Sequence, residues 1–584
     1  MFIKSLYELY NRLVAQGVEI PSYGVSLQNV SFRVIIKENG DFVRIEDART
    51  LTHKIGKNGK PCKPTAKHTP TIVLGQTKQS GKVIDPCFLW DNAEYALGIG
   101  DKDDKNDKFF TTRDKYLSFE KRVNNKRFSA VCRFYEKWNP KKDAAEWEDE
   151  KFLENFGVFR ILGEEIDIHE DEQIRKWWMN GGAEEWKIKK ETPIYGRCLV
   201  TGEYGEIARL HEPKIKGVAN AQSSGATLVS FNSETVEHFG KTQGENAPIA
   251  KKVAFGYCTA LNYLLANKKN RLPIGGTTAV FWTDSPNSEE DELLVRSALG
   301  FYDTDAMDEA LVQRVHDRLD DIVHGRDVSD YIENADNIPF YILGIAPNAA
   351  RLFVRYYHES TLGDFVRNVK SHYDAMRLQT RTNGNFSGSA SPFRIMMETI
   401  PEKANKDRIP DIQINALYSS ILNGTRYPDS VAFNIINRIK VDKNVNDVKC
   451  SFLKAWLIRN KHKQIKSMLD EENKNTGYVL GRLFAALAKT QEDAIVGTKD
   501  TMRNSYYSAA CTSPASVFPL LLKRYNTAYI NKLNGGLKVV RDKLVLSLTG
   551  SIEKLPKTLS VEQQAEFAVG FAQQYQSFFQ KKVN

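Results

Sequence analysis

The chain has 584 residues, 41% of them apolar and 27% charged, which excludes a disordered or collagen-like protein. A chain of this length is expected to fold as roughly three to four domain-sized units. Its formal net charge of +9, from 82 Lys and Arg against 73 Asp and Glu, favours polyanionic partners wherever the excess is concentrated.

Nothing in the sequence indicates a membrane protein or a secreted one. No apolar run reaches the roughly 18 residues that span a bilayer. Leu6, Leu9 and Leu13 have helical spacing near the amino terminus, but the interspersed Glu8 and Arg12 are untypical of a signal peptide. The seven cysteines include no C-x-x-C pair, so neither a zinc site nor a disulfide framework is indicated. We expect a soluble, cytoplasmic protein.

Strand and helix signals alternate over the first two-thirds of the chain. Asn39-Gly40 predicts a tight hairpin, because both residues tolerate the positive φ that such a turn requires. Gly202 and Gly205 predict a second hairpin. Runs of β-branched and aromatic residues complete the strand assignments. The predicted strands cover residues 30–36, 42–45, 198–201, 206–210, 227–231 and 277–282.

Helix signals follow these strands. An amphipathic pattern predicts a helix over residues 305–325. Pro347 has the character of a first helical residue and predicts a helix that runs through Arg351 and Arg355 to Val369.

Beyond about residue 400 the strand signals fade, and the sequence predicts a helical bundle. Apolar residues at four-residue spacing predict a helix over residues 477–489. Pro514 follows Ser513 as a first helical residue, and Ser560 with Gln563 forms a capping-box pattern. The fold class is therefore α+β, with a mixed amino-terminal region and an all-α carboxyl-terminal bundle.

Two stretches concentrate the basic excess. Residues 51–82 contain seven lysines and no acidic residue, and residues 440–466 contain eight basic residues against two acidic ones. Such blocks attract nucleic acids, because each neutralised phosphate releases condensed counterions. For either stretch the alternative is a solvated surface loop or solubility patch.

The sequence contains no convincing catalytic motif. Five residues separate Gly75 from Gly81, one more than in a phosphate-binding loop, and Val83 replaces the hydroxyl residue that would hold magnesium, so a basic flexible loop is the preferred interpretation. His316-Asp317 lies on a predicted amphipathic helix, where a solvated face is the alternative to a metal site. We predict no catalytic residue, metal or cofactor.

Residues 214–226 form the most suggestive nucleic-acid-binding stretch, since they combine lysines with small, amide and hydroxyl residues. Lysine and serine hold phosphates, whereas asparagine and glutamine read base edges. The alternative is a surface loop whose polar residues cap the following strand. The candidate contacts in this stretch are Lys214, Lys216, Asn220, Gln222 and Ser223.

Two further groups of residues are candidate phosphate contacts. Arg351 and Arg355 lie one turn apart on the predicted helix, so both side chains face the same way; pairing with acids on a neighbouring helix is the alternative. The basic loop after Gly75 contributes Lys78, Gln79, Ser80 and Lys82.

Several segments occur together in the order typical of one protein family. They are Ser31-Phe32, Phe88 to Asn92, Cys198 to Glu203, Lys214 to Asn232, Thr277 to Trp282, Pro347 to Leu352 and Gly477 to Phe484. Through them the chain resembles, over nearly its whole length, the large subunit of the type I-C CRISPR Cascade complex, the Csd family.

The resemblance implies a non-catalytic DNA-binding subunit that recognises the protospacer-adjacent motif in double-stranded DNA and supports R-loop formation. The implied partners are the crRNA-containing backbone and crRNA-end subunits, target DNA and a helicase–nuclease. Guide–target pairing selects the sequence in such systems. A metal-dependent nucleic-acid enzyme and a scaffold without DNA contact are the alternatives.

The resemblance also implies that the helical bundle is made separately, from an internal start codon, as the Cascade small subunit. Met468 is well placed for this start, although it also fits a surface residue in a linker. The predicted regions are 1–240, for nucleic-acid and motif recognition; 241–400, a mixed region ending in helices; 401–467, a basic helical connector; and 468–584, the small-subunit-like bundle.

Overall fold

A computed structural model describes residues 2–52, 65–75, 84–100, 107–147, 150–187, 192–231, 238–285, 288–301, 309–324, 326–379, 386–387, 390–497 and 500–580. The chain divides into two compact units. The first comprises Met1–Ile215 and Ser224–Tyr263, and the second Lys216–Ser223 and Leu264–Asn584. The four-region division derived from the sequence stays a prediction.

The elements up to residue 266 are mixed strands and helices. The strands are β1 (Val25–Ile36), β2 (Phe42–Asp47), β3 (Thr50–Thr52), β4 (Thr65–Lys67), β5 (Thr69–Leu74), β6 (Trp90–Asn92), β7 (Phe156–Ile161), β8 (Tyr195–Arg197) and β9 (Tyr204–Glu206). The helices are α1 (Phe2–Ala15), α2 (Ala93–Ala96), α3 (Asp107–Val123), α4 (Lys126–Lys137), α5 (Pro140–Asp143), α6 (Glu172–Trp177), α7 (Ala183–Trp186) and α8 (Lys251–Ala266).

The remaining elements are mostly helical. The strands are β10 (Arg271–Ile274), β11 (Thr277–Thr283), β12 (Pro339–Asn348), β13 (Arg351–Thr361), β14 (Leu378–Gln379) and β15 (Phe386–Ser387). The helices are α9 (Ser288–Ala298), α10 (Glu309–His324), α11 (Ser329–Ala335), α12 (Leu362–Met376), α13 (Pro392–Met397), α14 (Asp411–Leu422), α15 (Asp429–Asp442), α16 (Asp447–Lys461), α17 (Thr476–Ala494), α18 (Met502–Thr512), α19 (Pro514–Arg524), α20 (Gly535–Gly550) and α21 (Val561–Ser577). The α+β class is confirmed. No helix within the described ranges combines the length and apolarity needed to cross a membrane.

β1 organises the sheet of the first unit. Its first half pairs antiparallel with β5 and its second half with β2, while β7 runs parallel to it and carries β6 at the outer edge. The predicted turn at Asn39-Gly40 joins β1 to β2, with a φ of +83° at Gly40. A Cβ on Gly40 would lie 2.6 Å from the backbone nitrogen of Phe134, so only glycine fits this turn.

The core of the first unit is rich in aromatic side chains. Phe32 of β1 and Phe159 of β7 share one buried cluster with Tyr116 of α3 and Phe128 of α4. The rings of Tyr116 and Phe128 stack with centroids 5.5 Å apart. Burial of each such side chain stabilises the fold by about 1.5–3 kcal/mol.

The second unit contains an antiparallel sheet in the order β10-β11-β12-β13. β11, which was predicted as a strand, is buried along its whole length. Phe281 of β11 and Ile342 of β12 share a core cluster with Phe365 of α12. The sheet therefore provides a rigid base for the loops at its ends.

The helix predicted from Pro347 is wrong. Residues 351–361 form β13, and α12 begins only at Leu362, where the Thr361 side chain caps the helix. Pro347 pairs with Leu352 beyond the last residue of β12 that contacts β11, so its missing N–H costs no hydrogen bond to that strand.

Other predictions differ less from the structure. The second hairpin is confirmed, but β8 and β9 pair earlier in the chain than predicted. The strand predicted over 227–231 is wrong: of these residues only Thr227 forms an isolated bridge, next to the bridge between Ile215 and Ala226. α10 confirms the helix predicted over 305–325, although residues 305 and 325 lie outside the described ranges.

The carboxyl-terminal helices follow the prediction closely. α17 covers the helix predicted over 477–489, and Ser560 and Gln563 form the expected capping box of α21. α17 and α21 pack closely because glycines face the contact: a Cβ on Gly481 would lie 2.1 Å from the carbonyl oxygen of Phe567. Small residues therefore set the distance between these two helices.

Candidate nucleic-acid interface

Residues 216–223, here called the amide loop, belong to the second unit and are tied to its sheet. The backbone N–H of Ala219 donates to Oγ1 of Thr278 on β11 at 3.1 Å. The guanidinium of Arg271 on β10 donates to the carbonyl oxygen of Gly217 at 3.4 Å. These contacts fix the loop backbone at the end of two strands.

The amide loop presents polar side chains to solvent. Lys216, Asn220, Gln222 and Ser223 are all exposed, while the side chain of Val218 is buried. Asn220 has a φ of +62°, a left-handed conformation that asparagine tolerates better than most residues. Across the described residues, the amide groups of Asn220 and Gln222 have no hydrogen-bond partner, so both can pair with a base edge.

Lys214 precedes the amide loop and belongs to the first unit. Its side chain is exposed, and its carbonyl oxygen accepts a hydrogen bond of 3.0 Å from Nδ2 of Asn262. Beside it, Ile215 and Ala226 exchange two backbone hydrogen bonds of 2.9 Å. The backbone at Lys214 is therefore fixed while its charge faces solvent.

Arg351 and Arg355 lie on strand β13 rather than on a helix. Four residues along a strand span roughly 13 Å, so the two side chains cannot grip a single phosphate as one helical turn would allow. The guanidinium of Arg355 stacks on the exposed ring of Phe353, 4.9 Å from its centroid. Neither arginine forms an ion pair with another described residue, so the predicted alternative of pairing with acids is not observed.

The basic loop after Gly75 lies outside the described residues, including Lys78, Gln79, Ser80 and Lys82. Its contribution stays a prediction.

Part of the basic stretch 440–466 lies in the protein interior. Lys449 and Lys454 are each only 1% exposed. Nζ of Lys449 lies 3.6 Å from the carboxylate of Glu398, and Nζ of Lys454 donates to the carbonyl oxygen of Ala375 at 2.8 Å. Burial lowers the pKa of Lys454 to about 8.

Two further cations of the same stretch contact side chains elsewhere in the second unit. Arg459 stacks on the ring of Tyr427, 4.3 Å from its centroid, and burial lowers its pKa. Lys463 forms ion pairs with Glu562 and Glu566 at 2.8 and 3.4 Å. These four residues therefore contribute to helix packing, which neither a nucleic-acid-binding patch nor the predicted solvated loop explains.

His316 and Asp317 are exposed on α10, where Asp317 accepts a hydrogen bond of 2.8 Å from Nε2 of Gln313. In the part of the chain that the structure describes, no group of three or more His, Cys, Asp or Glu residues is arranged to hold a metal ion.

The hairpin of β8 and β9 carries an exposed surface that was not predicted from the sequence. Tyr195 and Tyr204 on this hairpin are 58% and 73% exposed, although tyrosine usually buries its ring. The repeated Tyr-Gly pairs at 195–196 and 204–205 are a sequence signal for it, because the small glycines alternate with the large rings.

An exposed amide loop on a rigid sheet is a geometry suited to nucleic-acid binding. Comparison with known proteins places the chain among the CRISPR-associated proteins. The family model described as CRISPR-associated protein (Cas_Csd1) matches residues 6–579. The chain therefore belongs to this family, which confirms the resemblance to Cascade-type proteins. No curated protein sequence matches the chain.

Proposed function

We propose that the protein is the large, non-catalytic subunit of a type I-C CRISPR RNA-guided surveillance complex in the cytoplasm. It recognises the protospacer-adjacent motif in double-stranded DNA, supports R-loop formation and recruits the helicase–nuclease. Its other partners are the crRNA-containing backbone and crRNA-end subunits. Membership of a CRISPR-associated family supports this setting, in which guide pairing selects the target and the protein reads only a short motif.

The geometry of the amide loop carries the proposal. Asn220 and Gln222 supply paired donor and acceptor groups that match the edge of adenine, whereas Lys214 and Lys216 contact phosphates. A good contact of this kind discriminates between bases by about 1–3 kcal/mol. Arg351 and Arg355 add phosphate contacts along β13.

The test uses the complex assembled with the full chain and duplex targets in which each motif base is permuted. Asn220→Gly is the informative variant, because glycine accepts the left-handed backbone at this position while the amide is lost. We expect it to lose discrimination at one motif base, about 5- to 100-fold in affinity, with little change at the other positions.

Lys216→Ala is the matching variant for a contact with the DNA phosphates. It should weaken every target to the same extent and reduce the salt dependence of binding, since a phosphate contact carries no sequence information. Lys121→Ala, at an exposed position on α3, controls for the loss of a positive charge. An equal loss on every sequence for Asn220→Gly contradicts the base-reading role.

We further propose that Met468 is an internal start for a separate small subunit. Met468 is 52% exposed and lies between α16 and α17. A chain that begins there keeps Asp470, whose N–H donates to the hydroxyl of Tyr478 at 3.0 Å, and Glu471, whose carbonyl accepts from Arg482 at 3.2 Å. Immunoblotting with an antibody against the carboxyl terminus tests this, and Met468→Leu should remove the short product.

A further inference from the structure

The hairpin of β8 and β9, in the first unit, displays two tyrosines on one face. In its antiparallel register Arg197 lies opposite Tyr204, and Tyr195 lies opposite Glu206. Residues that are directly opposite in such a ribbon point to the same face. Tyr195, Arg197 and Tyr204 therefore form one surface, here called the tyrosine face.

Both tyrosine side chains of the tyrosine face are mostly exposed to solvent. Tyr195 is 58% exposed and Tyr204 is 73% exposed. Neither ring packs on another ring or on a cation from the described residues. Diagonal neighbours in an antiparallel ribbon lie roughly 7–8 Å apart, with their Cβ atoms somewhat closer, which is about twice the 3.4 Å rise of stacked bases. The spacing accommodates a flat ring between the two tyrosines.

The hairpin is held firmly at its closed end. The N–H of Cys198 donates to the carbonyl oxygen of Glu203 at 2.8 Å, and that of Leu199 donates to Pro248 at 2.9 Å. The thiol sulfur of Cys198, a buried residue, accepts from the N–H of Ala250 at 3.3 Å. The tyrosines are therefore presented by a fixed backbone.

The charge on the tyrosine face is positive. Glu206, which lies opposite Tyr195 beside this face, is neutralised by an ion pair of 2.5 Å with Lys251. Glu203 alternates to the opposite face. Arg197 is exposed, donates to the carbonyl oxygen of Gly202 at 3.3 Å and has no ion pair with a described residue. Two exposed rings beside an unneutralised guanidinium complement a strand of bases and phosphates.

We propose that the tyrosine face stacks the unpaired bases of a single nucleic-acid strand, with Arg197 on the adjacent phosphate. This rests on the proposed function and adds a second site to it. The amide loop reads the edges of paired bases, whereas stacking needs base faces that a duplex hides. The hairpin therefore selects an opened strand, with little sequence preference because every base has a flat face.

The experiment measures binding of the full chain to a fluorescent single strand and to its duplex at one salt concentration. Tyr195→Ala and Tyr204→Ala should each weaken single-strand binding about 5- to 100-fold, and the corresponding Phe variants should bind like the parent. A strand that carries 5-iododeoxyuridine should photo-crosslink to Tyr195 or Tyr204, as mapped by mass spectrometry. Leu199→Ala, at a 63% exposed position nearby, should bind normally.

Several results would overturn the inference. They are no binding of the strand by the full chain, affinity within about two-fold of the parent for both Ala variants, or equal losses for Phe and Ala. A loss of complex assembly shared by Leu199→Ala and the tyrosine variants would show that the hairpin binds a protein instead. Motif discrimination by the Asn220→Gly complex is measured separately. If Asn220→Gly discriminates like the parent while the tyrosine variants bind the single strand more weakly, the proposed motif reading fails and the stacking proposal stands.

Discussion

Ala219 and Thr278 join the amide loop to the sheet: the N–H of Ala219 donates to Oγ1 of Thr278 at 3.1 Å. Thr278 is only 3% exposed and lies in a strand that is buried along its whole length. The position of Asn220, the next residue in the loop, is thus determined by the sheet. A base-reading amide needs such support, because discrimination depends on a fixed position of its donor and acceptor.

Replacing Thr278 should loosen the loop without removing any candidate contact. Thr278→Val keeps the shape of the side chain but leaves the N–H of Ala219 without its acceptor, a loss of about 0.5–1.5 kcal/mol. We expect motif discrimination by the assembled complex to fall about 2- to 10-fold. Binding to permuted duplex targets measures it.

Thr277→Val is the matched control. The Thr277 hydroxyl is buried and has no hydrogen-bond partner among the residues that the structure describes, so its removal leaves none of their polar groups unpaired. This variant should keep both stability and discrimination. If both threonine variants lose discrimination equally, the Ala219 contact is not what positions the loop.

The buried Lys454 should make stability depend on pH above neutrality. Its pKa is lowered from 10.5 to about 8 by burial, so between these values the unfolded chain binds more protons than the folded one. The free energy of unfolding therefore rises with pH from about 8 to 10.5, by at most about 3 kcal/mol from this group. Denaturant unfolding at a series of pH values should show that Lys454→Met removes this rise.

Leu453→Met serves as the control for Lys454, since it changes core packing at the adjacent position without removing a charge. It should shift stability by a similar amount at every pH. A slope that persists in Lys454→Met would assign the pH dependence to other groups.

The close contact of α17 and α21 makes Gly481 intolerant of a side chain. A Cβ at this position would lie 2.1 Å from the carbonyl oxygen of Phe567, a backbone atom that cannot move away cheaply. Gly481→Ala should destabilise the protein by about 3 kcal/mol or more, measured by denaturant unfolding. Gly536→Ala on α20, where a Cβ meets nothing within 4 Å, should be neutral or slightly stabilising.

The fragment that starts at Met468 should be less stable than one that also includes α16. α16 packs on α21, where Cys450 Sγ donates to the carbonyl oxygen of Ala568 at 3.6 Å. Chains starting at Asn446, the cap of α16, and at Met468 should therefore differ, with the shorter one unfolding at lower temperature and binding more of a hydrophobic dye. Equal unfolding temperatures would show that the bundle does not need α16.

The sequence predicts the elements whose signals are local. The Asn39-Gly40 turn and the Ser560 capping box involve residues within four positions of each other, and both are confirmed. The helix predicted from Pro347 through Arg351 and Arg355 is wrong because proline is compatible both with the first turn of a helix and with the end of a strand. Only the pairing of β13 with β12 separates these alternatives, and that pairing is not a property of the segment itself.

The candidate site was predictable only where its features depend on residues that are close together in the sequence. The polar composition of the amide loop marks its surface exposure, whereas its contact with Thr278, about sixty residues away, depends on the fold. The basic stretch 440–466 shows the opposite case. Lys463 pairs with Glu562 and Glu566 about a hundred residues later, so a charge that belongs to a basic run in the sequence is neutralised by distant acids in the fold.

The most direct test of the account compares target binding by complexes reconstituted with the parent chain, with Asn220→Gly, and without this subunit. The account predicts that omitting the subunit abolishes motif-dependent binding of double-stranded DNA, and that Asn220→Gly loses discrimination at one motif base while it still assembles. A complex that lacks this subunit and binds motif-bearing duplex DNA as tightly and as selectively as the complete one would contradict it.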